Sequence, residues 1–275
     1  MPELPEVETI VNELRSSSLI GMEIIETKIL WPGTISSLDP EEFIDQLVGQ
    51  KILEINRRGK YIVFTLSKHT LFVHLRMTGK FTLCSSARLP FSHERVSLKF
   101  KDGRYLYYDD QRKFGKWLLL LHPEEKLASL GVEPLSPNFS LHVFKTILQA
   151  SSQAIKPFLL NQQHIAGIGN IYVDEALWAA KIHPMQKACA LTPSMIKKLF
   201  KAIPEVLKAG IENMGTSLGS KDANYFSVSG RRGDHQHQLK VFRRNGFFCP
   251  RCGTTIIKIK VAQRGTHICP TCQSI

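Results

Sequence analysis

Eight short segments of β-strand type lie within residues 22–121 and limit the folds that the chain can adopt. Turns that contain Gly, Pro, Ser or Lys separate them, and the segments read MEIIETKIL, KILEINR, YIVFTL, LFVHLRM, KFTLC, RVSLKF, RYLYYD and GKWLLLL. An amphipathic helical pattern over residues 3–18 precedes them, with apolar side chains at helical spacing from Val7 to Leu14. Many short strands at this spacing predict a β-sandwich or a β-barrel.

Helical patterns replace the strands in the second half of the chain. Segment 131–140 contains two Pro and two Ser and is typical of a linker, and the longest helical pattern, 192–214, opens with Thr192 as a cap and Pro193 in the first turn. Residues 216–240 show no period and predict a long loop. We therefore predict an α+β chain whose domains are a β-sandwich with a leading helix over 1–132, a helical domain over 133–240 and a zinc finger over 241–275.

Six cysteines in 275 residues are too few for a disulfide scaffold, and four of them lie in the last 27 residues. They form two Cys-x2-Cys pairs separated by 16 residues, and they are Cys249, Cys252, Cys269 and Cys272. This spacing predicts four thiolates around one tetrahedral zinc ion, which leaves no open coordination position and so indicates a structural metal. Disulfides or free thiols are the alternative. Cys84 and Cys189 have no partner at ligand spacing, and we interpret both as small buried apolar residues.

The charge of the chain favours a polyanionic partner. Hydrophobic residues make up 43% of the chain, enough for a folded core, and the net charge is +12. Residues 221–275 hold ten Lys and Arg against two Asp, a net +8 that makes this segment a cationic module. No apolar stretch is long enough to cross a bilayer, and the start of the chain does not resemble a secretory signal. We expect no membrane partner and a cytoplasmic location.

The first residues, MPELPEVE, could supply a nucleophilic amine for catalysis. Removal of Met1 would expose the secondary amine of Pro2 at the start of a helix. The helix dipole disfavours the ammonium form of this amine, whereas the charges of Glu3 and Glu6 favour the ammonium form. Such an amine can attack an aldehyde-like carbon to form an iminium, and adjacent carboxylates can move the protons. Taken alone, the segment also fits a Pro-rich helix start with capping acids.

Six blocks along nearly the whole chain resemble the bacterial formamidopyrimidine-DNA glycosylases. They read MPELPEVET, RRGKYIVF, HLRMTGKF, DDQRKFG, AGIGNIYVDEALW and the terminal CPRC…QRGTHICPTC. The PELPE form resembles the oxidised-purine branch of the family more than the endonuclease VIII branch. The resemblance implies a β-sandwich domain joined to a helical domain with a helix-two-turns-helix motif and a zinc finger. It implies as partner double-stranded DNA that contains oxidised bases or abasic sites, and we expect a monomer.

The resemblance also implies the catalytic residues. Pro2 would be the nucleophile that displaces the damaged base and forms a Schiff base, and Glu3 would open the sugar ring. Lys60 would contact phosphate and assist β-elimination, although a basic turn such as residues 57–60 is more often a solvated charge run. Arg264 would assist δ-elimination, although a plain phosphate clamp is compatible with its position.

Further residues match the DNA-binding positions of the family. Three would fill the space left by an everted nucleotide, and they are Met77, Arg112 and Phe114. Three would lie at the DNA backbone, and they are His93, Lys156 and Asn170, the last at a Gly-x-Gly-Asn turn before a helix. His74, in the same segment as Met77, is interpreted as structural or as supporting a neighbour.

The chain departs from the family pattern at three places. Ser152 stands where many members have Lys, Phe242 replaces Tyr, and residues 230–237 lack the aromatic that commonly follows the second Gly. The first two should weaken phosphate contacts modestly, and the third affects preference between 8-oxoguanine and formamidopyrimidines. Two other functions remain alternatives: an oxidised-pyrimidine glycosylase, and a non-catalytic zinc-ribbon protein that binds nucleic acid.

Overall fold

Packing divides the chain into two compact units in the computed structural model. The described residues are 1–36, 38–89, 91–219 and 225–275. The first unit comprises Met1–Leu127 and Asn213–Gln236, and the second comprises Ala128–Glu212 and His237–Ile275. Residues 213–236 thus pack with the strands, whereas the predicted helical domain over 133–240 included them. The three predicted domain bounds stay a prediction.

The first unit contains two four-stranded antiparallel sheets, in the orders β1-β6-β7-β5 and β2-β3-β4-β8. All eight predicted segments form strands: β1 (Ile24–Ile29), β2 (Ile52–Arg58), β3 (Tyr61–Leu66), β4 (Thr70–His74), β5 (Gly79–Cys84), β6 (Glu94–Phe100), β7 (Tyr105–Asp110) and β8 (Lys116–Leu120). Buried apolar side chains from both sheets form one core. The predicted β-sandwich is confirmed.

Aromatic side chains join the two sheets in one core. Phe64 of one sheet lies edge-on to Phe81 of the other, with ring centres 6.3 Å apart. Trp117, which is fully buried, lies 5.8 Å from Phe81 and 5.4 Å from Tyr108. Such edge-on pairs add to the free energy gained from burying the rings.

Two helices of the first unit flank the sandwich. Helix α1 (Leu4–Ser16) lies within the predicted range 3–18 and buries its apolar face in the core. Helix α2 (Pro40–Leu47) was not predicted, although Asp39 caps it by accepting the Glu41 N–H at 2.9 Å. A short helix, α3 (Glu124–Ala128), follows the strands.

The second unit contains the predicted helices and a two-stranded hairpin. Its elements are α4 (Leu141–Gln149), α5 (Ile155–Leu160), α6 (Asn170–Ala180), α7 (Pro193–Glu212), β9 (Ile257–Val261) and β10 (Arg264–Ile268). Thr192 accepts the Met195 N–H at 3.3 Å, so the predicted cap of α7 is confirmed. The hairpin turns at Ala262 and Gln263, both with positive φ, and this places Arg264 directly after the turn.

Residues 213–236 reach the sandwich through buried side chains. Tyr225 and Val228 belong to the core of the first unit. Near the start of the segment, Thr216 donates its N–H to Glu6 at 2.7 Å, and Ser229 donates its N–H to Glu13 at 2.9 Å. Two acids of α1 therefore fasten this segment at both of its described parts.

Two smaller expectations have different outcomes. Among the described residues, no helix has the length and apolar character needed to span a bilayer. Cys84 is half-buried and Cys189 is exposed, so the interpretation of both as buried residues was wrong. Cys189 lies in the short 3₁₀ turn Ala188–Ala190, which places the Cys189 side chain at the surface.

Candidate functional site

The N-terminus of α1 places two buried carboxylates beside Pro2. Pro2 and Glu3 precede the helix and are buried, and Glu6 is 1% exposed. One carboxylate oxygen of Glu6 accepts the Glu3 N–H at 2.7 Å, and the other accepts the Thr216 N–H at 2.7 Å. Glu6 thereby fixes the backbone at Glu3, and the first helical turn gains the acid that its dipole favours.

The electrostatics at this point favour an uncharged amine. Burial is the main factor that lowers the pKa of the Met1 amine below its ordinary value, and the charges of Lys60 and Arg112 lower it further. Glu3 and Glu6 act in the opposite direction. Burial, rather than the helix start, therefore opposes the two acids at this position and lowers the pKa of the Met1 amine.

Lys60 lies in the tight turn between β2 and β3. Gly59 has a φ of +58°, which lets the chain reverse before Lys60, and the Lys60 side chain is buried. Arg57 donates to the Gly59 carbonyl at 3.0 Å and to Glu8 of α1 at 2.6 Å. The basic turn is therefore tied to the helix that carries Pro2, unlike a solvated charge run.

Asp110 joins the two loops that carry Met77, Arg112 and Phe114. Its carboxylate accepts the Thr78 hydroxyl in a short hydrogen bond, the Arg112 N–H at 3.2 Å and the Gly115 N–H at 2.7 Å. Met77 precedes Thr78 and is partly exposed, so one carboxylate places all three predicted void fillers on adjacent loops.

Arg112 and Phe114 present an exposed cation and an exposed ring to solvent. The guanidinium of Arg112 lies 4.8 Å from the ring centre of Phe114, which is 49% exposed. His93 is half-buried in the turn directly before β6, and its carbonyl accepts the Asp110 N–H at 2.8 Å. These side chains are accessible, as base and phosphate contacts require.

His74 is buried at the end of β4. Its Nδ1 accepts the Arg76 N–H at 3.0 Å, and its ring lies edge-on to Tyr61 at 4.8 Å. Burial lowers its pKa to about 3, with Arg76, Lys60 and Lys126 adding to the effect. His74 is therefore neutral and supports the neighbouring turn, which agrees with the structural interpretation.

In the second unit, the turn before α6 holds Asn170 against the zinc-finger hairpin. Gln162 accepts the Gly167 N–H at 2.9 Å and donates to the Ile168 carbonyl at 3.0 Å, which fixes the turn. Asn170 donates to the Gly265 carbonyl at 3.1 Å. The residue predicted to hold phosphate thus also fixes the tip of the hairpin next to Arg264.

Lys156 occupies a different position from the one predicted. Its side chain is fully buried and pairs with Asp174 at 2.6 Å, donates to Thr266 at 2.8 Å and lies 3.4 Å from the Gly265 carbonyl. A buried ammonium held in this way does not reach a phosphate, so the structure contradicts direct DNA contact by Lys156. It anchors the hairpin tip, while Arg264 itself is exposed.

The four cysteine thiols meet at one point and fit a zinc ion. All four Sγ atoms lie within 4.8 Å of one another, with 3.4 Å between Cys252 and Cys269 and 4.0 Å between Cys249 and Cys272. Tetrahedral coordination at about 2.3 Å per sulfur needs separations of this size. The chain holds one structural zinc ion at this site.

Two acids of α6 that were not among the predicted site residues support the zinc finger. Asp174 accepts the His267 N–H at 2.9 Å, and Glu175 accepts three consecutive backbone N–H groups at 2.8–2.9 Å, from Lys240, Val241 and Phe242. Burial raises the pKa of Glu175, and these three hydrogen bonds oppose the shift. Two adjacent acids in an otherwise apolar helix were the signal available in the sequence.

The three departures from the family pattern have separate surroundings. Ser152 is exposed. Phe242 is buried, with its ring centre 5.2 Å from that of His267. The hydroxyl of a Tyr at this buried position would need a hydrogen-bond partner. In the segment 230–237, Arg231 pairs with Glu13 at 3.1 Å and His235 donates its N–H to the Gly215 carbonyl at 3.0 Å. Charged and backbone contacts thus hold this segment.

Three family models match successive parts of the chain. They are described as the formamidopyrimidine-DNA glycosylase N-terminal domain over residues 1–117, its H2TH domain over 130–222 and a zinc finger found in FPG and IleRS over 246–275. A formamidopyrimidine-DNA glycosylase of Protochlamydia amoebophila is 47% identical and covers 99% of both chains. One of Enterococcus faecalis is 43% identical and covers 100% of this chain and 98% of its own.

Solved structures of similar proteins contain damaged DNA. A complex of Lactococcus lactis Fpg with DNA that contains N7-benzyl-Fapy-dG matches with a TM-score of 0.90, 40% identity and full coverage of both chains. A complex of MutM with DNA that contains carbocyclic 8-oxo-G gives the same values. A third, between the Lactococcus lactis protein and DNA with an abasic site, gives 0.89 and 39%, and it covers 99% of this chain and all of the other.

Proposed function

The chain belongs to the formamidopyrimidine-DNA glycosylase family, and we propose that Pro2, Glu3, Lys60 and Arg264 carry out the family reaction in it. It is a base-excision-repair glycosylase for oxidised purines with AP lyase activity. The oxidised-pyrimidine and non-catalytic alternatives are not favoured, because the relatives reported above are formamidopyrimidine-DNA glycosylases over their whole length.

The first step is attack by the Pro2 nitrogen on C1′ of the damaged nucleotide. The bond from C1′ to the base breaks, and the base leaves with its electron pair and takes a proton from water. Glu3 takes the proton that the Pro2 nitrogen loses and delivers it to the sugar ring oxygen as the ring opens. The product is an iminium between Pro2 and C1′. This role is supported by the buried carboxylates of Glu3 and Glu6 at the start of α1, and burial there lowers the pKa of the Met1 amine that precedes Pro2.

Two eliminations then cut the strand. The iminium withdraws electrons, so that loss of a proton from C2′ expels the 3′ phosphate and a second elimination expels the 5′ phosphate. In this proposal Lys60 stabilises the phosphate near the first elimination. Arg264 serves the second, and its place after the hairpin turn, next to the anchored Gly265, supports this role. The role proposed for Lys60 is supported by its place in the turn that Arg57 connects to α1 through Glu8.

The DNA contacts are proposed for the accessible residues. Met77, Arg112 and Phe114 would enter the duplex where the damaged nucleotide leaves it, and the energy of their contacts offsets part of the few kcal/mol lost in unstacking. His93 and Asn170 would contact the backbone. Lys156 is excluded from this set because its side chain is buried.

The zinc ion has a structural role in this proposal. Four cysteines occupy its coordination positions, and the ion holds the base of the hairpin whose tip presents Arg264. We propose that one chain acts on one lesion as a monomer, since a single chain supplies every residue named above. Its substrate is the DNA of the cell, so we place its action in the cytoplasm.

Base excision from defined duplexes tests the proposal. Short duplexes that carry 8-oxoguanine, a formamidopyrimidine or an oxidised pyrimidine are incubated with excess protein, and the released base is measured. We expect both purine lesions to be excised faster than the pyrimidine. Faster release of the pyrimidine would assign the chain to the other branch, and release of no base would contradict a glycosylase.

A further inference from the structure

Two adjacent phenylalanines are exposed on the zinc finger, next to the first ligand pair. Phe247 is 61% exposed and Phe248 is 72% exposed, although phenylalanine is among the residues most often buried. The backbone that carries them is held in place. The Phe247 carbonyl accepts the Ile256 N–H at 2.9 Å, and Phe248 pairs with Thr255 in an antiparallel bridge. We call Phe247 and Phe248 the phenylalanine pair.

The surroundings of the phenylalanine pair are cationic. Residues 237–275 contain seven Lys and Arg and no Asp or Glu. The guanidinium of Arg244 lies 5.8 Å from the ring centre of Phe247 and is fixed by its hydrogen bond to the Leu239 carbonyl at 3.0 Å. The acids that contact this segment, Asp174 and Glu175, are buried in α6. The exposed charge therefore complements a polyanion.

The phenylalanine pair is separate from the hairpin tip. It directly precedes Cys249, at the zinc end of the hairpin, where Ile257 pairs with Ile268. Arg264 pairs with Val261 at the other end, four residues along the strand, which corresponds to about 13 Å at the rise of a β-strand. A ligand on the phenylalanine pair would therefore not occupy the position proposed for Arg264 chemistry.

We propose that the phenylalanine pair and Arg244 form a binding site for unpaired nucleotides of single-stranded DNA. Exposed aromatic rings beside cations bind single strands because bases stack on the rings while phosphates pair with the cations. In a duplex the base faces are already stacked on each other, so the rings add nothing to duplex affinity. Stacking also tolerates any base sequence. This inference goes beyond the proposed excision activity and does not depend on it.

Aromatic and aliphatic replacements distinguish stacking from a general apolar contact. The zinc-loaded full-length protein is titrated into a labelled thymidine oligonucleotide of about 12 nucleotides, a length within the footprints of such sites. F247L/F248L keeps apolar area and removes the rings, whereas F247Y/F248Y keeps them. We expect the leucine variant to bind roughly tenfold or more weakly and the tyrosine variant to bind like the parent.

Two further readouts separate this result from damage to the protein. Zinc content and excision from a short lesion-bearing duplex should be the same in all three proteins. If the double leucine variant loses zinc, Phe247→Leu alone is measured in its place, because it is one residue further from Cys249. Its weaker binding supports the proposal, and parent-like binding contradicts it.

Three outcomes would overturn the inference. One is equal oligonucleotide affinity of the parent and the leucine variant, and another is equal loss in the leucine and tyrosine variants with zinc retained. The third is a glutamate-rich peptide that contains phenylalanine, binds the parent more tightly than the oligonucleotide does and loses this affinity in the leucine variant. That result would assign the phenylalanine pair to an acidic protein partner.

Discussion

The ammonium of Lys156 lies 2.6 Å from a carboxylate oxygen of Asp174, and neither side chain is exposed. Lys156 also donates to Thr266 at 2.8 Å, and Asp174 accepts the His267 N–H at 2.9 Å. The ion pair thus joins α5 and α6 to β10, directly behind the hairpin tip. Its effect on function is positional, because Gly265 and Arg264 follow the placement of this strand.

Breaking this buried pair should destabilise the second unit. Asp174→Asn leaves the Lys156 charge uncompensated in the interior, and we expect the free energy of unfolding to fall by about 3–5 kcal/mol in urea titrations of the zinc-loaded protein. Lys28→Ala is the control, since the Lys28–Glu26 pair is exposed and should contribute little to the free energy of unfolding. Equal effects of the two substitutions would contradict the role of the buried pair.

Glu6 should affect the reaction through the backbone at Glu3. Glu6→Gln removes the charge that strengthens its bonds to two backbone N–H groups, at Glu3 and Thr216, and can leave one of them without an acceptor. Charged hydrogen bonds of this kind contribute about 1.5–3 kcal/mol. We expect Schiff-base formation to slow by roughly 10- to 100-fold in single-turnover trapping. Glu41→Gln, at an exposed site on α2, should leave the rate unchanged, and an unaffected rate in Glu6→Gln would contradict this account.

His74 should make stability depend on pH. Burial lowers its pKa from 6.5 to about 3, so the unfolded chain binds more protons between these values and stability falls as the pH drops from 6.5 towards 3. The slope from this residue reaches at most about 1.4 kcal/mol per pH unit. We expect His74→Gln to flatten the pH dependence of the unfolding free energy from pH 6.5 to 4.5. Parallel curves for variant and parent would show that His74 titrates normally.

Zinc removal should weaken DNA binding by the second unit. Cys252→Ser removes one of four ligands, and we expect the variant to lose zinc, measured by atomic absorption, together with affinity for duplex DNA, measured by anisotropy. Cys189→Ser is the matched control, because Cys189 is exposed and outside the cluster. Retention of both zinc and affinity by Cys252→Ser would contradict the four-cysteine site.

The local patterns of this sequence predicted the elements well. All eight strand segments formed strands, because short runs of β-branched and aromatic residues bounded by turn residues favour strands. The Cys spacing predicted the thiol cluster, since each Cys-x2-Cys turn presents two sulfurs on its own. Helix α2 was missed, although Asp39 followed by Pro40 and two glutamates is a typical helix start.

Contacts between residues far apart in the chain could not be predicted from the sequence. Lys156 matched a DNA-binding position, but its burial depends on Asp174 and Thr266, which lie 18 and 110 residues away. Residues 213–236 join the first unit because Tyr225 and Val228 enter its core, and no periodicity predicts that. The effect of burial on the N-terminal amine likewise required the fold, because burial and acids act in opposite directions.

Covalent trapping at the N-terminus tests the central claim most directly. Protein from which Met1 has been removed is mixed with a duplex containing one abasic site, or one 8-oxoguanine opposite cytosine, and borohydride is added to reduce an iminium to a stable amine. We predict a covalent protein–DNA species with both duplexes that Pro2→Gly abolishes. Trapping with neither duplex, or undiminished trapping by Pro2→Gly through another amine, would contradict Pro2 as the nucleophile.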